Sequence, residues 1–394
     1  MPSPIIQSLL DTDFYKLTMQ QAIFHHYPDA IVRADFVCRA DVKLAPLADC
    51  IREQIDALSD IKLTSQERSW LESQGLFSAD YLDWLQTLTL DPQQVSVTTE
   101  QGRLLIGVSG LWCCVTLFEI YILAIVSQLY GQKMAEGGSL AEGRARLAEK
   151  IDWLKRQQTT RGRTLHFVDF GTRRRHSREW QREVVHTLQR ELGQSLQGTS
   201  NVMLARELDL TPQGTMGHEW LQAHQALVSP LNQSQKRALQ IWSDEWQGAL
   251  NTALTDTISM SAFLNDFDYT LAKSYKGLRH DSGSPLTWGE RALDHLNRLG
   301  LSTQERTLVF SDNITFKRAV AIQEHFYKRC QTRFGIGTWL TNDVGSTPLP
   351  IVLKMTECNG QPVAKISDEP AKTLCLQPEF IEKLRAVYAM PEQA

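Results

Sequence analysis

The sequence has no C-x-x-C pair, no excess of basic residues, no low-complexity tract and neither of the common glycine-rich nucleotide fingerprints. Each absence removes a class of protein. Seven cysteines are scattered over 394 residues, an odd number without zinc-ligand spacing, so neither a disulfide framework nor a zinc site is expected. Cys113 and Cys114 are adjacent, which suits small buried side chains. The 41 Lys and Arg against 45 Asp and Glu give a net charge of −4, whereas a duplex-binding protein carries a clear basic surplus. No nucleic-acid partner is expected. Met1-Pro2-Ser3-Pro4 shows no basic start followed by an apolar run, so no secretory signal is expected and a reducing cytoplasm is. Neither G-x-x-x-x-G-K-[ST] nor G-x-G-x-x-G occurs.

What remains is the composition of an ordinary globular protein, 42% apolar and 22% charged, long enough for a sizeable core and two domains. From Leu111 to Tyr130 the chain is almost wholly apolar, about the length of a membrane span. Glu119 interrupts that run, and a carboxylate there would be costly in lipid. A helix buried in a protein core is expected instead, with no membrane.

The first hundred residues mix helical and strand patterns. Ile31–Val37 alternates like a half-buried strand, Ile51–Leu58 and Gln66–Gly75 read as helices, and Val95–Thr99 with Arg103–Val108 flank Gln101-Gly102 as a hairpin. After about residue 140 short apolar strands recur, each followed by a polar or glycine-containing loop and a helical stretch. The candidates are Leu165–Phe170, Leu210–Thr215, Ala253–Thr257, Gly277–Asp281, Thr307–Phe310 and Thr332–Ile336. Parallel strands need crossovers of a dozen residues or more, so this rhythm implies β/α units. Six units favour an incomplete β/α barrel over an open doubly wound sheet, although both produce the rhythm. In either, ligands bind at the carboxyl ends of the strands.

The loops at those ends are polar. Phe170-Gly171-Thr172-Arg173-Arg174-Arg175 offers three guanidinium forks for phosphate or carboxylate. In Gly214-Thr215-Met216-Gly217-His218 two glycines permit close backbone approach, and His218 starts a helix, where the positive dipole end favours an added phosphate. Asp256 follows a strand and suits a cation, a sugar hydroxyl or a helix cap. Arg279-His280-Asp281-Ser282-Gly283 combines a cation and a carboxylate in a tight turn suited to ribose or Mg²⁺. Ser311-Asp312-Asn313 opens onto a helix from about residue 314 to 328. Phe334-Gly335-Ile336-Gly337-Thr338 can form a nest of N–H groups around phosphate.

Taken together, Leu10-Asp11-Thr12-Asp13-Phe14-Tyr15-Lys16-Leu17-Thr18-Met19, the F-G-T-R-R-R loop, Gly198-Thr199-Ser200-Asn201, the G-T-M-G-H loop, F-G-I-G-T and Phe118–Val126 resemble the nicotinate phosphoribosyltransferase family, in order over most of the chain. The resemblance implies a type II phosphoribosyltransferase fold: an irregular, incomplete β/α barrel over residues 136–344, and a smaller α/β domain built from residues 1–135 and 345–394. It also implies the reaction, in which nicotinate takes phosphoribose from 5-phosphoribosyl 1-pyrophosphate (PRPP). The products are nicotinate mononucleotide and pyrophosphate, on a salvage route to NAD. ATP hydrolysis is coupled through a phosphohistidine, by position His218, and Mg²⁺ accompanies PRPP and ATP with no individual ligands indicated.

Further roles follow by position. Asp256 and Asp281 join His218 as catalytic residues, Asp256 near the metal and pyrophosphate. Tyr15 and Phe170 resemble the pair that stacks on the pyridine ring, Tyr15 in its own or a neighbouring subunit's site within a homodimer. Arg173 resembles the base- and phosphate-site arginine, and Thr215 lies beside the nicotinate carboxylate. Arg279 and Asp281 resemble the pair holding that carboxylate and the ribose, and Ser311, Asp312, Gly337 and Thr338 the ribose and 5′-phosphate contacts. His280 and Asp312-Asn313 depart from the family's usual pattern. A nicotinamide-using relative, a quinolinate-using relative and a non-catalytic nucleotide sensor stand as alternatives.

Overall fold

The computed structural model describes residues 3–369, 372, 373, 375 and 377–389. It contains eleven strands among those residues: β1 Ile31–Cys38, β2 Val95–Glu100, β3 Arg103–Leu111, β4 Phe167–Asp169, β5 Leu196–Thr199, β6 Thr252–Leu254, β7 Gly277–His280, β8 Thr307–Phe310, β9 Gln331–Ile336, β10 Ile351–Cys358 and β11 Gln361–Pro362. They form a five-stranded sheet in the order β11-β10-β1-β3-β2 and a six-stranded sheet in the order β5-β4-β9-β8-β7-β6.

Turn chemistry explains the antiparallel part. Between β2 and β3, Gln101 and Gly102 both take positive φ (49° and 79°), as a two-residue hairpin turn matched to strand twist requires. Asn359-Gly360 does the same between β10 and β11, at 49° and 70°.

The second sheet is parallel at β4–β5, β6–β7, β7–β8 and β8–β9. Its crossovers are helices with side-chain caps. Ser284 caps Pro285–Arg298 by accepting from Thr287 N, and Thr315 caps Phe316–His325 by accepting from Arg318 N. From β6 to β9 every step runs in one direction across the sheet, and β4 to β5 continues it. A doubly wound sheet reverses at a switch point, so this order is that of a barrel-like arc.

One expected strand is displaced. Leu210–Thr215 forms only a single parallel bridge, Pro212 to Thr199. Pro212 has no N–H to give to a ladder, and the sixth strand is β5, which ends within the G-T-S-N motif.

The chain resolves into two compact units, one of Met1–Asp29, Ala34–Gly214 and Ile336–Lys354, the other of Ala30–Arg33, Thr215–Gly335 and Met355–Ala394. In the first, helix Phe118–Lys133 is buried from Phe118 to Leu129. The stretch Trp112–Lys133 is long and apolar enough to cross a membrane, but 94% of its most apolar window lies inside the protein. Each fully buried Ile, Leu or Phe there contributes about 1.5–3 kcal/mol. Helix Ala48–Asp56 and the turn Thr172–Arg174 pack against it. In the second unit, His280, Trp288, Phe310, Phe326 and Phe334 form an aromatic layer behind the strand ends, with successive ring centroids 5.3–5.9 Å apart.

Candidate functional site

In the second unit the loops after β6, β7 and β8 converge on His218. This residue opens helix His218–Leu227, with Gly217 at its N-cap. Its Nε2 lies 2.8 Å from Asp256 Oδ1 and 3.8 Å from Asp281 Oδ2. Asp256 is fully buried, and its Oδ2 accepts from Ser282 Oγ at 2.7 Å and from Lys365 Nζ at 2.9 Å. Burial pushes the Asp256 carboxyl up, but Lys365 and His218 outweigh it and hold the group well below the usual carboxylate range.

Asp281 accepts from Ser311 Oγ at 2.9 Å. Its burial is opposed by Arg279 and His218, which keep its pKa at about 2. Arg279 donates through Nη1 to Thr215 Oγ1 and to Met216 O, the latter at 3.1 Å, and its Nη2 stands 3.8 Å from Asp281. Asp312 accepts from Lys372 Nζ at 2.8 Å, and the same ammonium reaches Asp281 O at 3.3 Å. The structure thus gathers Thr215, His218, Asp256, Arg279, Asp281 and Ser311, with Asp312 tied in through Lys372. Lys365, Lys372 and Ser282 were not expected from the sequence. Lys365 had a signal, a lysine inside the apolar run Val363-Ala364-Lys365-Ile366.

Ligand atoms of His218, Asp256 and Asp281 lie within 4.8 Å of one another. Mg²⁺ prefers oxygen ligands and is held by one or two carboxylates together with substrate phosphates. Asp256 has both oxygens taken by protein donors, so Asp281, half-buried and with Oδ2 at longer range from its partners, is the carboxylate that fits the ion.

In the first unit a second cluster surrounds Glu119. Its Oε2 is 2.7 Å from Lys16 Nζ and accepts from the Tyr15 hydroxyl at 3.3 Å, while Oε1 is 3.5 Å from Arg173 Nη1. Arg173 also lies 3.6 Å from Asp13, which accepts from Ser200 Oγ at 2.6 Å. Burial and the Glu119 charge push the Tyr15 hydroxyl far up, so it stays protonated. Phe170 follows β4, and a Cβ at Gly337 would fall 2.8 Å from Phe170 O, so these two strand ends adjoin where Thr338 opens a helical turn. Gly214 is also placed by crowding, since a Cβ there would fall 2.9 Å from Tyr15 N.

The three successive arginines divide. Arg173 joins the Tyr15 cluster, whereas Arg175 is fully buried in an ion pair with Asp11 and is not an anion site. The expected ligand-contacting residues Tyr15, Phe170, Arg173, Thr215, Arg279, Asp281, Ser311, Asp312, Gly337 and Thr338 are all half-buried. The groups that hold several of them in place, Lys16, Glu119, Asp256 and Lys365, are buried.

Residues 165–392 match the nicotinate phosphoribosyltransferase (NAPRTase) family, and residues 10–127 match the NAPRTase N-terminal domain. A nicotinate phosphoribosyltransferase of Escherichia coli O9:H4 (strain HS) is 47% identical over 391 residues, covering 99% of this chain and 97% of that relative. The crystal structure of nicotinate phosphoribosyltransferase from Vibrio cholerae superposes with a TM-score of 0.95 at 38% identity, covering 100% of this chain and 96% of that one. That of a putative nicotinate phosphoribosyltransferase from Saccharomyces cerevisiae gives 0.91 at 28% identity, over 99% and 100% of the two chains.

Proposed function

The chain belongs to the nicotinate phosphoribosyltransferase family, and from that premise we propose how its residues join nicotinate to the phosphoribosyl group of PRPP, with ATP hydrolysis coupled through His218. The pyridine nitrogen of nicotinate is already a nucleophile and needs no general base. As the bond from C1 to pyrophosphate breaks, positive charge develops on the ribose and negative charge on the leaving group. Asp281, held ionised, suits the first. Arg279 and Thr215 are assigned to the nicotinate carboxylate, and Tyr15 and Phe170 to the pyridine ring. Arg173 is assigned to an anionic group, and Ser311, Asp312, Gly337 and Thr338 to ribose and its 5′-phosphate. Asp281 would be the carboxylate to hold Mg²⁺, which when bound would supply charge neutralisation for the pyrophosphate. The compartment we assign is the cytoplasm, in keeping with seven free cysteines, and the homodimer is assigned from the family resemblance alone, with Tyr15 completing a neighbour's site.

One observation carries the ATP-coupled part: His218 Nε2 sits 2.8 Å from a carboxylate that Lys365 keeps ionised. That contact favours the imidazole proton on Nε2 and the lone pair on Nδ1, the nitrogen assigned to attack the γ-phosphorus of ATP and displace ADP. The helix N-terminus then stabilises the added anion, and its charge orders the neighbouring cations. In His218→Asn, nicotinate-dependent ATP hydrolysis should vanish, while a residual ATP-independent formation of mononucleotide persists. Full ATP coupling in that variant would remove His218 from the mechanism. Preference of the wild type for nicotinamide over nicotinate would redirect the substrate assignment.

A further inference from the structure

Between Phe118 and Val126 the core helix of the first unit carries one charged residue, Glu119, which is 8% exposed. A buried carboxylate is costly unless ionic partners and hydrogen bonds occupy its lone pairs. Lys16, itself fully buried and within 3.3 Å of Thr116 Oγ1, supplies the counter-charge at 2.7 Å. If neutralising Lys16 were the whole purpose, one oxygen would serve. Instead the same Oε2 also accepts from the Tyr15 hydroxyl, and Oε1 turns toward the guanidinium of Arg173.

These contacts run outward from the core. Lys16, itself bonded to Thr116 Oγ1, pairs with the carboxylate, helix Phe118–Lys133 fixes its backbone, and the two further groups it reaches, Tyr15 and Arg173, are half-buried. Tyr15 arrives from helix Phe14–His26 and Arg173 from the turn after β4, so one carboxylate sets the mutual placement of side chains from two distant parts of the sequence. The Thr172–Arg174 turn packs directly on the helix that bears Glu119, which leaves little slack between them.

We propose that Glu119 is a positioning residue for nicotinate recognition, holding the Tyr15 ring and the Arg173 fork at their binding angles without touching substrate. This rests on the assignment of Tyr15 and Arg173 to substrate given above. The carboxylate adds what an amide could not, an attraction for the guanidinium as well as an acceptor for the phenol. With Glu119 gone, the Tyr15 hydroxyl loses this acceptor and Arg173 loses one of the two carboxylates named beside it, so the ligand must supply more of their ordering, and that cost appears in substrate affinity.

The test is steady-state kinetics of the full chain with nicotinate, PRPP and ATP, for Glu119→Gln, for the charge-neutral pair Glu119→Gln with Lys16→Met, and for Tyr15→Phe. The KM for nicotinate should rise about tenfold in the first two and about threefold in Tyr15→Phe, with kcat changed less than about twofold. The neutral pair keeps the core free of an unbalanced charge, and Tyr15→Phe removes a single oxygen from a half-buried ring. The experiment therefore stays readable even if Glu119→Gln alone fails to fold. Recovery of the wild-type nicotinate KM in the neutral pair would make Glu119 a mere counter-ion for Lys16 and overturn the inference. An unchanged KM in Tyr15→Phe would overturn it as well. A wild type that turns over no nicotinate would overturn the functional reading and the inference with it, whereas normal wild-type turnover beside unaffected variants sinks the inference alone.

Discussion

Asp11 and Arg175 meet as a two-pronged ion pair, Nη1 to Oδ1 and Nη2 to Oδ2 both at 2.7 Å, with neither residue reachable by solvent. Asn201 Nδ2 adds a third contact to Asp11 at 2.8 Å. Removing one partner leaves a buried charge without compensation, so Arg175→Met should lower the free energy of unfolding by about 3–5 kcal/mol. Urea titration measures it. A loss below about 1 kcal/mol would mean that water or another group replaces the guanidinium.

Lys365 balances Asp256 at 2.9 Å, and Asp256 in turn orients His218. In Lys365→Met that carboxylate loses its main attraction and rises toward protonation. A protonated Asp256 no longer fixes the proton on His218 Nε2, so ATP-coupled turnover should fall by more than about tenfold, the scale on which supporting partners act. Mononucleotide formation without ATP should fall much less. Equal loss of the two activities would point to misfolding rather than to His218.

Gly214 carries no positive φ, so its need is spatial. A Cβ there would come within 2.9 Å of the Tyr15 amide and 3.3 Å of Tyr15 Cβ, and backbone cannot yield as a side chain tip can. Gly214→Ala should destabilise the protein by about 1–3 kcal/mol, the usual penalty of overpacking. It should also raise the KM for nicotinate, because the atoms displaced belong to Tyr15. Thermal unfolding and initial rates report the two effects separately.

Burial pushes the Glu119 carboxyl up, but Lys16, Arg173 and Lys354 prevail and hold it at about 2 in the folded chain. An ordinary glutamate sits near 4.5. The folded value is the lower one, so this group's stabilisation is present above about pH 4.5 and drains away as pH falls toward 2. At neutral pH it is on the order of 3 kcal/mol. The stability gap between wild type and Glu119→Gln should therefore be widest above pH 5 and close toward pH 2. A gap independent of pH would show that the carboxyl is not ionised when folded.

The barrel arc was largely legible because β4, β6 and β8 are mostly apolar and end in polar loops, whereas β5, Leu196–Thr199, carries Gln and Gly and did not stand out. β8 falls on Thr307–Phe310 as expected, and β7 and β9 lie within a residue of their expected limits. The segment Leu210–Thr215 departs from expectation because Pro212 lacks the donor a ladder needs. Asp256 and Asp281 stood out because they follow strand ends, Arg279 because it closes β7 beside Asp281, and His218 by its flanking glycines and helix start rather than by a strand before it. Lys365 lies outside the barrel strands and reaches Asp256 from the chain's C-terminal part; the apolar run around it marks a buried lysine but does not name its partner. The F-G-T-R-R-R loop shows the same limit from the other side. Three identical side chains are indistinguishable in sequence, and only burial separates Arg175, which stabilises the fold, from Arg173.

The Asp11–Arg175 pair also constrains how the chain is made. Its members are 164 residues apart, and Asp13 finds Ser200 across 187. At about 5–20 residues per second, the polar groups of the N-terminal segment wait roughly ten to thirty seconds on the ribosome before their partners exist. During that interval the apolar run of Phe118–Val126 emerges after Lys16, the counter-ion of its Glu119, but before Arg173, the other cation that Glu119 faces. The newborn chain thus passes through a sticky stage whose length is set by translation speed, and a slow codon placed ahead of residue 175 prolongs it.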